Sequence, residues 1–252
     1  MSSITIRRCC IGEGRPKVIV PIVERAEAAI LQKAAAFSTS SADCVEWRAD
    51  WFADALDADA LSHCLRGLRA ALGEKLLLVT FRTQAEGGEA TLTADQYAAF
   101  CAAVCASGCA DLLDIEFFSA GERLPQWIAA AHAAGVKVVC SSHDFQKTPP
   151  RAELVERMLR MQQAGADLPK LAVMPTCRTD VLELLAATAE MADHHPKTPV
   201  ITMSMGALGA VSRLCGEAFG SAMTFANPGT ASAPGQVPLD VVGTVLDSLR
   251  LS

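Results

Sequence analysis

Val136-Lys137-Val138-Val139-Cys140-Ser141-Ser142-His143-Asp144 and Asp167-Leu168-Pro169-Lys170-Leu171-Ala172-Val173-Met174 are two short apolar runs. Between them, residues 150–164 carry a helical period. Strand, helix and strand at this spacing read as a βαβ unit with parallel neighbours. The pattern repeats along the chain. Apolar runs fall at 17–23, 43–50, 75–83, 110–117, 136–143, 167–174, 198–204 and 221–226. Helix candidates follow at 24–37, 53–72, 93–106, 124–134, 150–164, 179–192, 208–219 and 239–251. Eight repeats of roughly thirty residues predict a (β/α)8 TIM barrel of the α/β class. A doubly wound open sheet is the rival, but it usually has a glycine-rich first turn, and Pro21-Ile22-Val23-Glu24-Arg25 has none. Ahead of the first strand, Ile4-Thr5-Ile6 followed by Gly12-Glu13-Gly14 is expected to form a short β-hairpin covering the barrel bottom. No linker splits the chain, so residues 1–252 are expected to form one domain, with 1–15 as the hairpin extension.

Composition narrows the function. The chain is 51% hydrophobic with a net charge of −6, and Arg7-Arg8 is its only adjacent basic pair, expected to be solvated. Nucleic-acid binding needs clustered cations, so it is excluded as a reading. No apolar stretch reaches the ~18 residues of a membrane span. The ten cysteines include no Cys-x-x-Cys, and residues 1–14 lack the apolar core of a signal peptide. Reduced thiols in a cytoplasm are expected. Cys101, Cys105 and Cys109 have no histidine or acidic ligand set beside them and read as small buried hydrophobes rather than a metal site.

A barrel's C-terminal strand ends line its active site, while the N-terminal ends serve stability. That rule sorts the titratable residues. Lys17, Lys75 and Lys137 begin strands; Lys33 and Lys197 lie on a helix and in a bottom loop. Lys147, in a polar loop, and Lys170, in an apolar strand, remain. An ammonium among apolar neighbours is costly, and burial favours the free amine that attacks carbonyls. A snorkelling structural lysine is the competing account. Of five histidines only His143 ends a strand at the top. Glu46, Arg48, Arg82 and Glu116 fall at the same end, a coincidence that a surface ion-pair network explains poorly. The seventh loop carries Gly206, Gly209 and Arg213; residues 227–236, rich in Gly, Pro and Ser, suit a lid. Arg213 with a glycine-rich turn suits a phosphate or a carboxylate equally.

Several stretches together resemble type I 3-dehydroquinate dehydratases of the shikimate pathway. They are Glu46-Trp47-Arg48-Ala49-Asp50, Thr80-Phe81-Arg82-Thr83 with Glu86-Gly87-Gly88-Glu89, and Ser142-His143-Asp144-Phe145 with Lys147-Thr148-Pro149. Lys170-Leu171-Ala172-Val173-Met174-Pro175, Ile201-Thr202-Met203-Ser204-Met205-Gly206, Ser212-Arg213 and Ser232-Ala233-Pro234-Gly235-Gln236 complete the set. The resemblance implies that Lys170 forms an imine with the C3 carbonyl of 3-dehydroquinate. His143 would remove the C2 proton and protonate the departing C1 hydroxyl, with Glu86 orienting it. Arg213 would pair with the substrate carboxylate. Glu46, Trp47, Arg48, Arg82, Ser232 and Gln236 would bind the rest of the substrate. No metal, nucleotide or other cofactor is implied, and a homodimer is. Pro21 stands where similar enzymes often carry a small hydroxyl residue, which removes one substrate contact. A class I Schiff-base aldolase and a non-catalytic small-molecule binder are the alternatives.

Overall fold

The structure, a computed structural model, describes residues 2–229 and 233–251. Strands β1 (Ile4–Ile6) and β2 (Cys9–Ile11) form an antiparallel hairpin. Eight parallel strands follow: β3 (Lys17–Ile22), β4 (Cys44–Arg48), β5 (Leu76–Thr80), β6 (Leu112–Glu116), β7 (Lys137–Asp144), β8 (Leu168–Val173), β9 (Ile201–Ser204) and β10 (Met223–Asn227). The sheet runs from β10 through β3 and then in chain order to β9. Its ends meet in a parallel bridge between Val200 and Ser221, where the Ala222 N–H donates to the Val200 carbonyl at 2.8 Å. This is the expected α/β barrel. A two-residue strand, β11 (Val237–Pro238), adds to β10 beyond the last loop.

Alternation assigns every strand two buried faces. Val45, Trp47, Leu77, Val79, Leu113, Ile115, Leu171 and Val173 face the surrounding helices and form the large sheet–helix core. Ile19, Cys44, Leu76, Leu78, Leu112, Val139, Leu168 and Ile201 fill the barrel's lower interior. Burial of each such side chain is worth about 1.5–3 kcal/mol. The same inward face turns polar toward the C-terminal strand ends, with Glu46, Asp114, Ser141 and Lys170 all buried. The lower interior is therefore a packed plug, and the upper interior is a charged cavity floor.

The hairpin covers the bottom, as expected, but its turn is at Arg7-Arg8 rather than at Gly12–Gly14. Arg7 adopts φ 52°, and Ile6 and Ile11 join the lower interior cluster. Arg7 is also not a free solvated cation. It donates to Asp111, whose second oxygen accepts from Arg69 at 2.7 Å and from the Leu77 N–H at 2.9 Å. Asp111→Ala leaves two guanidiniums and a strand N–H without their acceptor. We expect a loss of roughly 3 kcal/mol in urea unfolding, with cavity residues untouched.

The predicted seventh helix, 208–219, is broken. The chain runs as Gly206–Gly209, a 3-10 turn Ala210–Arg213 and Gly216–Phe219. A Cβ on Gly209 would lie 2.4 Å from the Ser204 carbonyl, so only glycine permits that approach. Ser212 Oγ locks it, donating to the Gly209 carbonyl at 2.7 Å and accepting from the Ser204 N–H at 2.8 Å. The break turns Arg213 into the barrel mouth.

Candidate active site

Lys170 is 3% exposed. On β8 it shares the inward face with Leu168 and Ala172. Its register partner on β7 is Ser141, while His143 pairs with Ala172. The imidazole therefore stands two residues, roughly 7 Å of strand, farther toward the mouth than the amine. Above the amine lies a cavity of about 230 Å³ lined by Glu46, Arg48, Arg82, Glu86, His143, Lys170, Arg213 and Gln236 among others. Sequence reasoning selected each of these residues.

Lys170 Nζ sits 3.4 Å from Asp114 Oδ2, 4.0 Å from Glu46 Oε1 and 4.5 Å from the centre of the Phe225 ring. Burial pulls its pKa below the ordinary lysine value, and Arg82 adds to that; Asp114 and Glu46 oppose it without prevailing. The result is an amine biased toward its nucleophilic form. Glu46 is itself fixed by the Thr80 hydroxyl at 2.9 Å.

Arg82 lines the cavity but is heavily engaged. Its Nη1 reaches Glu116 and Ser141 at 2.9 Å each and Glu86 at 3.4 Å, and Nη2 reaches Asp114 at 2.9 Å. Burial opposes its charge, yet Asp114, Glu116 and Glu86 outweigh burial and raise its pKa. Arg48 forks onto Asp50 at 2.7 Å twice. Arg213 differs. It is 1% exposed; among the described residues its side chain meets Met203 Sδ at 3.5 Å and the Pro234 carbonyl at 3.1 Å, and its Nε has no hydrogen-bond partner. Burial alone brings its pKa down to about 10. A buried guanidinium without a carboxylate is a site prepared for an anion.

Trp47 corrects the sequence reading. Alternation turns it away from Glu46 and Arg48, and its indole packs against Phe52 at 5.8 Å in the sheet–helix core. It lines no part of the cavity. Ser232 lies outside the described residues. Lys147, in its loop, is exposed. Glu116, flagged at the strand end, is a scaffold group: it accepts from Arg82, Thr83 and Ser119. Among the described residues, no group of three His, Cys, Asp or Glu side chains is arranged to hold a metal ion.

The family model for type I 3-dehydroquinase matches residues 18–252. 3-Dehydroquinate dehydratases of Escherichia coli and Salmonella agona are 43% and 42% identical over 250 residues, covering 99% of this chain and 99% of each relative. The crystal structure of the type I 3-dehydroquinate dehydratase from Clostridium difficile, with covalent modified comenic acid, superposes with a TM-score of 0.95 at 42% identity, covering 98% and 97% of the two chains. The chain belongs to the type I 3-dehydroquinase family. The carboxyl transferase domain of Rhizobium etli pyruvate carboxylase, at 13% identity and TM-score 0.66, shares only the fold, covering 92% of this chain and 43% of its own.

In this 3-dehydroquinase His143 and Glu86 are in direct contact at the cavity wall. Glu86 Oε2 lies 2.8 Å from His143 Nδ1 and accepts the His143 backbone N–H at 3.0 Å. Burial holds His143 well below its ordinary pKa, with Arg82, Lys170 and Arg48 adding. Burial pushes Glu86 up to about 8, against the pull of Arg82 and with the help of Glu116 and Asp114. Both directions favour a neutral pair over an ion pair. An acid whose pKa rises on folding is stabilised below its unfolded value of 4.5 and loses that stability as pH climbs through about 8. Glu86→Gln removes the ionisation. We therefore expect the variant's melting temperature to rise relative to the parent between pH 5 and pH 8; a constant difference across that range would contradict the raised pKa.

The sequence reading gave no role to Phe145 in the cavity wall or to Asp114 beneath the cavity. Phe145 lies stacked beside the His143 ring, 6.4 Å between centroids at 18°. Its ring occupies the place of a Cβ on Gly87 (φ 83°), 2.4 Å away, so Gly87 has a steric reason as well as a backbone one. Asp114 was legible in Asp114-Ile115-Glu116, where alternation places it on the face of Glu116, but the strand alone does not name its partner.

Proposed function

We propose that this protein dehydrates 3-dehydroquinate to 3-dehydroshikimate, a hydro-lyase step of the shikimate pathway, through an imine on Lys170. The observation that carries the reading is a lysine amine biased to its free form beneath a cavity that also holds a histidine and an arginine with no carboxylate partner among the described residues.

Lys170 attacks the C3 carbonyl and water leaves, giving a protonated imine. The imine draws electrons from the C2–H bond, and His143 takes that proton. The electron pair expels the C1 hydroxyl, which leaves as water with a proton returned by His143. Hydrolysis of the product imine restores the amine, so the net change is loss of one water. Glu86 holds Nδ1 and leaves Nε2 toward the cavity. Arg213 supplies the fork for the ring carboxylate. Glu46, Arg48 and Gln236, all lining the cavity, bind ring hydroxyls and the closing loop; Arg82, committed to carboxylates, acts mainly by fixing the floor.

Incubation with 3-dehydroquinate and borohydride, followed by peptide mass spectrometry, tests this. A reduced adduct on Lys170 is expected. An adduct on Lys147 instead, or none, overturns the reading. We further propose that residues 1–252 act as one domain and that the enzyme works as a homodimer in the cytoplasm. The free thiols among the described cysteines and the exposed Leu182, Leu208 and Val211 support this; sedimentation velocity should give twice the chain mass of 26.5 kDa.

A further inference from the structure

Asp114 is fully buried on β6, below the cavity and outside its lining. Its two oxygens are divided. Oδ1 accepts from Arg82 Nη2 at 2.9 Å and from the Ser141 hydroxyl at 2.7 Å; Oδ2 faces Lys170 Nζ at 3.4 Å. Ser141 is also the register partner of Lys170 on β7, so the carboxylate and the amine are tied through a second strand. Asp114 never touches the cavity, yet it is the nearest acceptor to the nucleophile.

We infer that Asp114 is the positioning residue for Lys170: a rigid carboxylate, locked by Arg82 and Ser141, that aims the amine into the cavity and governs its proton. The inference rests on the imine reading above and adds a residue to which that reading gives no role. The groups facing Nζ are Asp114 on β6, Glu46 on β4, Arg82 after β5, His143 on β7 and the Phe225 ring on β10. Of the charged groups in this set, Asp114 and Glu46 favour the ammonium, and the Phe225 face adds a weaker attraction. Asp114 is the closer, and the hydrogen bonds of its other oxygen fix its plane. It remains ionised: burial opposes its charge, but Arg82, Lys170 and Ser141 bring its pKa below the ordinary aspartate value. Removing that charge tilts Lys170 toward the free amine, while releasing it from its aim. The two consequences have different readouts.

The test is Asp114→Asn, which keeps shape while removing charge. Arg82 retains Glu116 and Glu86 in this variant. Borohydride trapping on Lys170 is followed against pH. The trapping midpoint should move to lower pH by about one unit, a tenfold change in proton affinity. At pH 8, kcat should fall at least about tenfold while KM changes little. An unmoved midpoint, even with reduced activity, assigns Asp114 a purely structural role and overturns the inference. In the unaltered enzyme, NMR with labelled Lys Nζ and Asp Cγ offers an independent measurement. The Asp114 carboxyl signal should shift at the amine's own midpoint; separate midpoints overturn the inference whether or not the variant folds. If the unaltered enzyme traps nothing, the imine reading itself fails, and the NMR titration still decides the hold of Asp114 on the amine.

Discussion

Lys170→Met is expected to abolish turnover and borohydride trapping while leaving the fold at least as stable as the parent. The loss should be on the order of 10⁴-fold or more, because removal of a covalent nucleophile leaves only binding and acid–base assistance. Methionine matches the length of the lysine stem, so no large cavity opens between Leu168, Ala172 and Phe225. The carboxylates left behind are not stranded. Asp114 keeps Arg82 and Ser141, and Glu46 keeps Thr80. The ammonium was a net burden on folding, since burial outweighs both carboxylates and lowers its pKa. A group of this kind withholds stability at neutral pH and returns it only as the solution becomes alkaline enough to discharge the amine. The measurement is a melt beside a turnover assay. A variant that melts well below the parent would make Lys170 a structural ion-pair partner. Retained trapping would move the nucleophile elsewhere.

The barrel was readable because each of its strands is buried on both faces. Continuous apolar runs such as Leu76–Val79 and Val138–Cys140 mark the strands, and the helices between them fix the parallel order. The site was readable for a related reason: polar side chains at the ends of such strands have no stabilising explanation, so Glu46, Arg48, Arg82, His143 and Lys170 stood out together. What stayed hidden depends on contacts between distant segments. Alternation within Glu46-Trp47-Arg48 already separated the indole from its neighbours, but proximity in a shared motif masked it. The saturation of Arg82 comes from Asp114 and Glu116 on the adjacent strand and from Glu86 four residues along its own loop. The break at Gly209 depends on the packing of Ser212 against Ser204. The hairpin turn moved to Arg7 because Asp111 receives its guanidinium, whereas glycines had marked the turn farther along. Residue type and period see none of these.

Arg213 gives the second large effect, and it has opposite signs in binding and in folding. Its fall in pKa to about 10, well below the ordinary arginine value, corresponds to roughly 3 kcal/mol of stability withheld while the ion is charged. The guanidinium pKa is depressed in the folded state, so the penalty is in full force below pH 10 and fades only in more alkaline solution. Neutral solution lies wholly within the penalised window. In the proposed reading, a substrate carboxylate compensates. It supplies the missing counter-charge and the acceptor that Nε lacks, in a cavity where water screens little. Arg213→Met should therefore raise KM by about 10²–10³-fold, the scale of losing one partner of a buried charge pair. In the ligand-free state the same variant should melt no lower than the parent, and several degrees higher if even half of the penalty is recovered. Substrate or a non-reactive ring carboxylate should raise the parent's melting temperature and leave the variant's unchanged. A variant destabilised without ligand would show that the Met203 and Pro234 contacts, rather than an anion, are what the guanidinium is for. Equal ligand-induced shifts in both proteins would place the carboxylate elsewhere, beside Arg48.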